Sequence, residues 1–144
     1  MADTRLSELS NVVNKEEELR KLVQINVDRG VDCIKTRGTE RAGLPYTDPR
    51  KQTYSEEQLS IIVSEASKYN IPVMAHVHGD EGGFAAVNAG VRSIEHGTYL
   101  SKKTLALMKK KGKYLVPTFT TVVDLYIIHI SEPTRLRRKM FDIS

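Results

Sequence analysis

A chain of 144 residues, with 40% apolar and 28% charged side chains, is one domain's worth of core-forming protein rather than a disordered segment. The formal net charge of +4 is concentrated in KKKGK (residues 109–113) and RLRRK (residues 135–139), without the basic stripe and interleaved aromatics of a nucleic-acid footprint, so no nucleic-acid partner is expected. One cysteine (Cys33) excludes an internal disulfide framework, no apolar run approaches the ~20 residues of a membrane span, and MADTRLSELS lacks an apolar signal core, so no membrane partner and a cytoplasmic setting are expected.

Residues 1–13 read as a polar lead-in. NKEEELRKLVQINVDRG (residues 14–30) predicts a helix, with Asn14 as N-cap, acids at Glu16 to Glu18 in the first turn, and Gly30 closing it. Leu19, Leu22, Val23 and Val27 supply its apolar stripe. VDCIKT (residues 31–36) is a short strand, followed by the turn-rich RGTERAGLPYTDPRKQT. A second helix over residues 55–70 opens with a capping box of Ser55 and Gln58 and presents Leu59, Ile62, Val63 and Ala66.

IPVMAHV (residues 71–77) is the next strand, DEGGFAAVNAG (residues 80–90) a short helix ended by Gly90, and VRSIEH (residues 91–96) a third strand. SKKTLALMKKKG (residues 101–112) is a helix capped by Ser101 and closed by Gly112. KYLVPTFTTVV (residues 113–123) is a fourth strand, and residues 124–144 form an irregular basic tail. Strands alternating with helices predict an α/β fold with a parallel sheet. No Gly-rich phosphate fingerprint follows the first strand, which leaves a partial (β/α) barrel over residues 14–123, with about four βα units.

Functional side chains of such barrels sit at the C-terminal ends of strands. Three successive strand ends carry Lys35, His76 and His96, and the two histidines lie 96 − 76 = 20 residues apart. Imidazoles suit zinc and similar metals. An ammonium cannot ligate a metal, but a lysine carbamate formed with carbon dioxide can. Two histidines in this pattern outweigh the alternative of satisfied core residues. Strand alternation turns Glu95 away from His96. His129 has no partner motif, and Cys33 reads as a small hydrophobe. In the long loop after Lys35, Arg41 and Arg50 are candidates to receive a substrate carboxylate, against the alternative of a turn-rich lid with solvated arginines.

GVDCIKTRGTERAGLPYTDPRKQTYSEEQL, IPVMAHVHGDEGGFAAVNAGVRSIEHGTYLS and TLALMKKKGKYLVPT together resemble the amidohydrolase superfamily, in its imidazolonepropionase-like and Xaa-Pro dipeptidase-like branch. The resemblance covers about residues 14–125. It implies a (β/α)8 TIM-type barrel that hydrolyses amide or peptide C–N bonds through a metal-activated water, with one or two divalent metals, zinc being expected. It also implies that Lys35 matches the carboxylated lysine of strand four, His76 the histidine of strand five and His96 that of strand six. His78 then sits where the branch faces its substrate, as a contact rather than a ligand.

Two parts of the family pattern are missing. No histidine precedes His76, so the His-x-His pair of the first strand is absent. Asp124 and Asp142 are the only aspartates after His96, and neither stands in the Gly-Thr-Asp context of the last strand. The resemblance therefore implies strands four to seven of a truncated or fragmentary member. Its complete form would act on a small-molecule or dipeptide-like substrate, and the chain alone is expected to be nearly inactive. The alternative is a non-catalytic half-barrel that pairs with itself as a homo-oligomer or with a complementing chain. A simple metal binder that needs no carbon dioxide ranks last, because two histidines and water bind weakly.

Overall fold

The computed structural model describes residues 16–43 and 45–118. Chain order is α1 (Glu16–Asp28), β1 (Ile34–Arg37), α2 (Glu56–Ser67), β2 (Val73–Val77), α3 (Asp80–Ala89), β3 (Ser93–His96), α4 (Lys102–Lys110) and β4 (Tyr114–Val116). The four strands form one parallel sheet in the order β1-β2-β3-β4. Successive strands are neighbours and the order never reverses, which is the arrangement of a barrel arc rather than a doubly wound sheet.

Alternation along β2 shows how the layers are built. Val73, Ala75 and Val77 are buried, whereas Met74 and His76 are half-buried. The buried row joins Leu19 and Val23 of α1, Leu59, Ile62 and Ala66 of α2, Val87 of α3, Ile94 of β3 and Met108 of α4 in one core. Each large aliphatic buried there contributes about 1.5–3 kcal/mol relative to exposure. The second row of the sheet, which includes His76, is left for chemistry.

Local signals in the sequence are realised at the helix ends. The Ser55 hydroxyl accepts from the Gln58 N–H at 3.2 Å, and the Gln58 side chain accepts from the Ser55 N–H at 2.9 Å. Ser101 caps α4 by accepting from the Thr104 N–H. Glu65, buried on α2, receives Arg20 of α1 at 2.8 Å and Lys68 at 2.7 Å, and these two cations hold its carboxyl below the usual range. That pairing ties α1 to α2 across the layer.

Boundaries differ from expectation in all four strands: β2 and β3 each start two residues later than expected, at Val73 and Ser93. β1 starts at Ile34 and includes Arg37, so it runs one residue beyond the expected Thr36. β4 covers Tyr114–Val116 and, among the described residues, ends before Pro117; residues 119–123 of the expected strand lie outside the described residues. Asn14, His129 and the expected boundaries near residues 13 and 123 lie outside the described residues. No helix among the described residues is long and apolar enough to cross a membrane.

Candidate metal centre

Three histidines meet at the C-terminal ends of β2 and β3. His76 and His78 are two residues apart on an extended segment, so they leave the same face of the sheet. The His78 N–H donates to the Thr39 hydroxyl at 2.9 Å, and the His76 carbonyl accepts from the Gly38 N–H at 2.8 Å. Both contacts anchor the end of β2 to the segment that leaves β1.

His96 reaches the group by another route. Its register partner is Val77, whose side chain is buried under the helices. A regular strand would send His96 the same way. Instead His96 has φ 74° and Gly97 has φ 64°, two consecutive left-handed residues that re-aim the imidazole. Glycine suits the second position, because its left-handed φ strains other residues and an added Cβ would lie 2.6 Å from Leu115 Cδ1, which would have to shift. The turn is closed by Gly97 N–H to the Val77 carbonyl at 2.8 Å and Tyr99 N–H to the His78 carbonyl at 2.9 Å.

Ring centroids are 4.8 Å apart for His76–His78, 4.7 Å for His76–His96 and 5.0 Å for His78–His96. One ring nitrogen from each can be chosen so that all three lie within 4.8 Å of one another. His76 Nε2 lies 3.3 Å from the Glu40 carbonyl, His78 Nδ1 2.8 Å from the Thr98 hydroxyl, and His96 Nδ1 2.6 Å from the Thr118 hydroxyl.

Electrostatics keep the rings neutral. Burial, then repulsion from His78 and His96, pushes His76 down to about 3. Burial, then His96, pushes His78 down to about 4. His96 is also lowered, by burial and then by the Lys35 ammonium, with Glu95 opposing. Neutral imidazoles carry the lone pairs that a metal needs. Three such donors within reach of one another could hold a metal ion.

The other anticipated residues are distributed around this cluster. Lys35 is exposed on β1, opposite Met74, and therefore on the face that presents His76. Arg50 is exposed, and its guanidinium lies 4.6 Å over the Tyr99 ring. Its backbone abuts Gly79, where an added Cβ would lie 2.4 Å from the Arg50 carbonyl oxygen. Arg41 is half-buried in the same loop. That loop is pinned by a Lys51–Glu40 ion pair at 2.9 Å, a Thr39–Gln52 bridge and a Gly79 N–H to Pro49 carbonyl bond at 3.1 Å.

Four residues near the centre were not anticipated in their observed places. Arg37 is buried opposite His76, a position hidden by the expected end of the strand at Thr36. Glu95 pairs with His76 in register and accepts from the Ser93 hydroxyl at 2.7 Å, so it shares the histidine face instead of turning away. Simple strand alternation does not hold here because His96, not Glu95, departs from strand geometry. Thr98 and Thr118 touch the rings through contacts 20 and 22 residues apart, which no local pattern reveals.

Comparison with known proteins bears on this arrangement. The sequence model of the amidohydrolase family matches residues 2–140. The chain belongs to the amidohydrolase family. It is 36% identical over 111 residues to ochratoxinase of Aspergillus niger, a match covering 77% of this chain and 23% of that protein. An uncharacterized protein of Mycobacterium bovis is 38% identical over 65 residues, covering 45% of this chain and 18% of the relative.

Among solved structures, that of A. niger ochratoxinase superposes with a TM-score of 0.73 at 34% identity, covering 81% of this chain and 27% of that one. A Xaa-Pro dipeptidase with methionine bound in its active site gives a TM-score of 0.73 at 32% identity, covering 91% and 33%. The chain therefore spans about a quarter to a third of the lengths of the ochratoxinase and dipeptidase it matches. Its sheet is a partial TIM-type barrel.

Proposed function

We propose that this chain carries the histidine-bearing strand ends of a metal-dependent amidohydrolase that cleaves amide or peptide C–N bonds in a small-molecule or dipeptide-like substrate. The observation that carries this reading is the convergence of neutral His76, His78 and His96 at adjacent strand ends of a family member. These three would hold a divalent cation, zinc by donor type. When bound, such an ion supplies Lewis-acid polarisation of the scissile carbonyl and acidifies water.

The surrounding side chains have separate tasks in this reading. Lys35, on the same face, is the candidate for carboxylation by carbon dioxide as a further oxygen donor. The loop that carries Arg41 and Arg50 is braced where Arg50 meets Gly79 and Tyr99, so the Arg50 guanidinium is a candidate to receive a substrate carboxylate, with Arg41 as a further candidate in the same loop. His78 is proposed as a third ligand in this chain, in place of the substrate contact expected by resemblance. A cytoplasmic setting accompanies the proposal.

No histidine precedes His76, and no Gly-Thr-Asp sequence follows His96. The general base of the family is therefore not supplied by a matching residue here. We expect the chain alone to bind zinc yet turn over acyl-proline dipeptides at or near background. Assay of the purified chain with zinc or manganese tests this, and robust turnover would contradict it.

A second reading is favoured by one observation. Tyr114, Leu115 and Val116 of β4 are exposed, and among the described residues β1 and β4 each have a single strand neighbour. Open parallel edges template pairing with another chain. Size-exclusion chromatography with light scattering distinguishes a self-paired or complemented half-barrel from a monomer.

A further inference from the structure

Each ring of the cluster has one nitrogen engaged by a group outside it, and the pattern repeats. His78, just past β2, is held at Nδ1 by Thr98, which lies just past β3. His96, at the end of β3, is held at Nδ1 by Thr118, which lies just past β4. In both cases the hydroxyl comes from the following βα unit and reaches back one strand.

A neutral imidazole has one N–H donor and one lone pair, and the hydrogen bond at one nitrogen decides which is which. We propose that Thr98 and Thr118 are positioning residues: each hydroxyl oxygen accepts the Nδ1–H of its histidine, which leaves Nε2 of His78 and of His96 as the ligating atoms. This inference rests on the reading of the cluster as a cation site. His76 is engaged differently, at Nε2 by the Glu40 carbonyl, an acceptor that can only receive N–H. Its lone pair is then on Nδ1. The cluster is thus asymmetric, with two rings offering Nε2 and one offering Nδ1. Outer hydrogen bonds of this kind fix ring orientation and raise ligand basicity, and their loss commonly weakens metal binding 10- to 100-fold.

The test uses the full chain labelled with 15N in histidine. Long-range 1H–15N correlation at pH 8 on metal-free protein reports each tautomer. Zinc affinity is read separately, by competition with a chromophoric chelator. His78 and His96 are expected as Nδ1–H tautomers and His76 as the Nε2–H tautomer. Thr98→Val should abolish the preference at His78 alone, and Thr118→Val at His96 alone. Each should weaken zinc binding about 10- to 100-fold. Thr98→Ser and Thr118→Ser keep the hydroxyl and should restore both readouts.

Nε2–H tautomers at His78 and His96 with tight zinc binding would overturn the positioning role and leave the metal reading standing. Nδ1–H tautomers that respond to the valine variants, with no zinc binding, would support the hydroxyl contacts and overturn the metal reading. Serine variants that behave like valine would overturn the role of the hydroxyls.

Discussion

The imidazoles at the ends of the inner strands β2 and β3 differ from Lys35 of β1 and from the side chains of β4 in how far they are covered. At the inner pair, Gly97 and Tyr99 donate back to the Val77 and His78 carbonyls, and the Thr39 hydroxyl receives the His78 N–H. Every histidine of the cluster stands on this braced segment. At the outer strands, Lys35 is exposed and Tyr114 is 58% exposed. The imidazoles are therefore preorganised by contacts within the described residues. The lysine expected to complete the site stands on a strand with one strand neighbour among the described residues, and its side chain is exposed.

The largest effects should come from the braced ends. His76→Ala or His96→Ala should lower zinc affinity by well over ~100-fold, more than an outer hydrogen bond is worth, as measured by chelator competition. Unchanged affinity in either variant would place the metal elsewhere. Gly97→Ala forces a side chain into a left-handed position against Leu115. A loss of about 1–3 kcal/mol in urea unfolding is expected, with a further loss of zinc binding as His96 is turned away.

Acid should separate the two regions as well. His76 and His78 have folded pKa values of about 3 and about 4, below the ordinary 6.5. The folded chain therefore binds fewer protons than the unfolded chain between these limits. Stability of the metal-free protein should be level above pH 7, then fall as pH drops through 6.5 toward 4. Urea midpoints at pH 7.5, 6 and 5 measure this, and a His76→Ala, His78→Ala variant should show a flatter profile. The smallest effect is expected at the open edge. Leu115 is 40% exposed, and Leu115→Ser should change stability by less than about 0.5 kcal/mol.

How much of this could be read from the sequence depended on the range of the cause. The capping box at Ser55 and Gln58 is local chemistry, and it appears as expected. The parallel sheet followed from strands separated by helices. His76 and His96 were legible because they close successive apolar strands. His78 was placed by the family resemblance as a substrate contact, not as part of a three-ring cluster. What escaped was set by long-range packing or by one unusual backbone conformation. Arg37 was hidden by a strand boundary one residue too early. Glu95 was turned the wrong way because alternation assumes extended geometry, and His96 has φ 74°. The glycine that follows His96 was the available signal, since His-Gly at a strand end permits two left-handed residues in succession. Thr98 and Thr118 act across neighbouring βα units, where spacing carries no information.

Zinc titration of the purified chain in carbon-dioxide-free buffer, beside Lys35→Gln and His78→Ala, tests the central claim most directly. The three-histidine account predicts one zinc per chain in the wild type, little change in Lys35→Gln and marked weakening in His78→Ala. Absence of binding by the wild type, or binding that follows Lys35 and ignores His78, would contradict it.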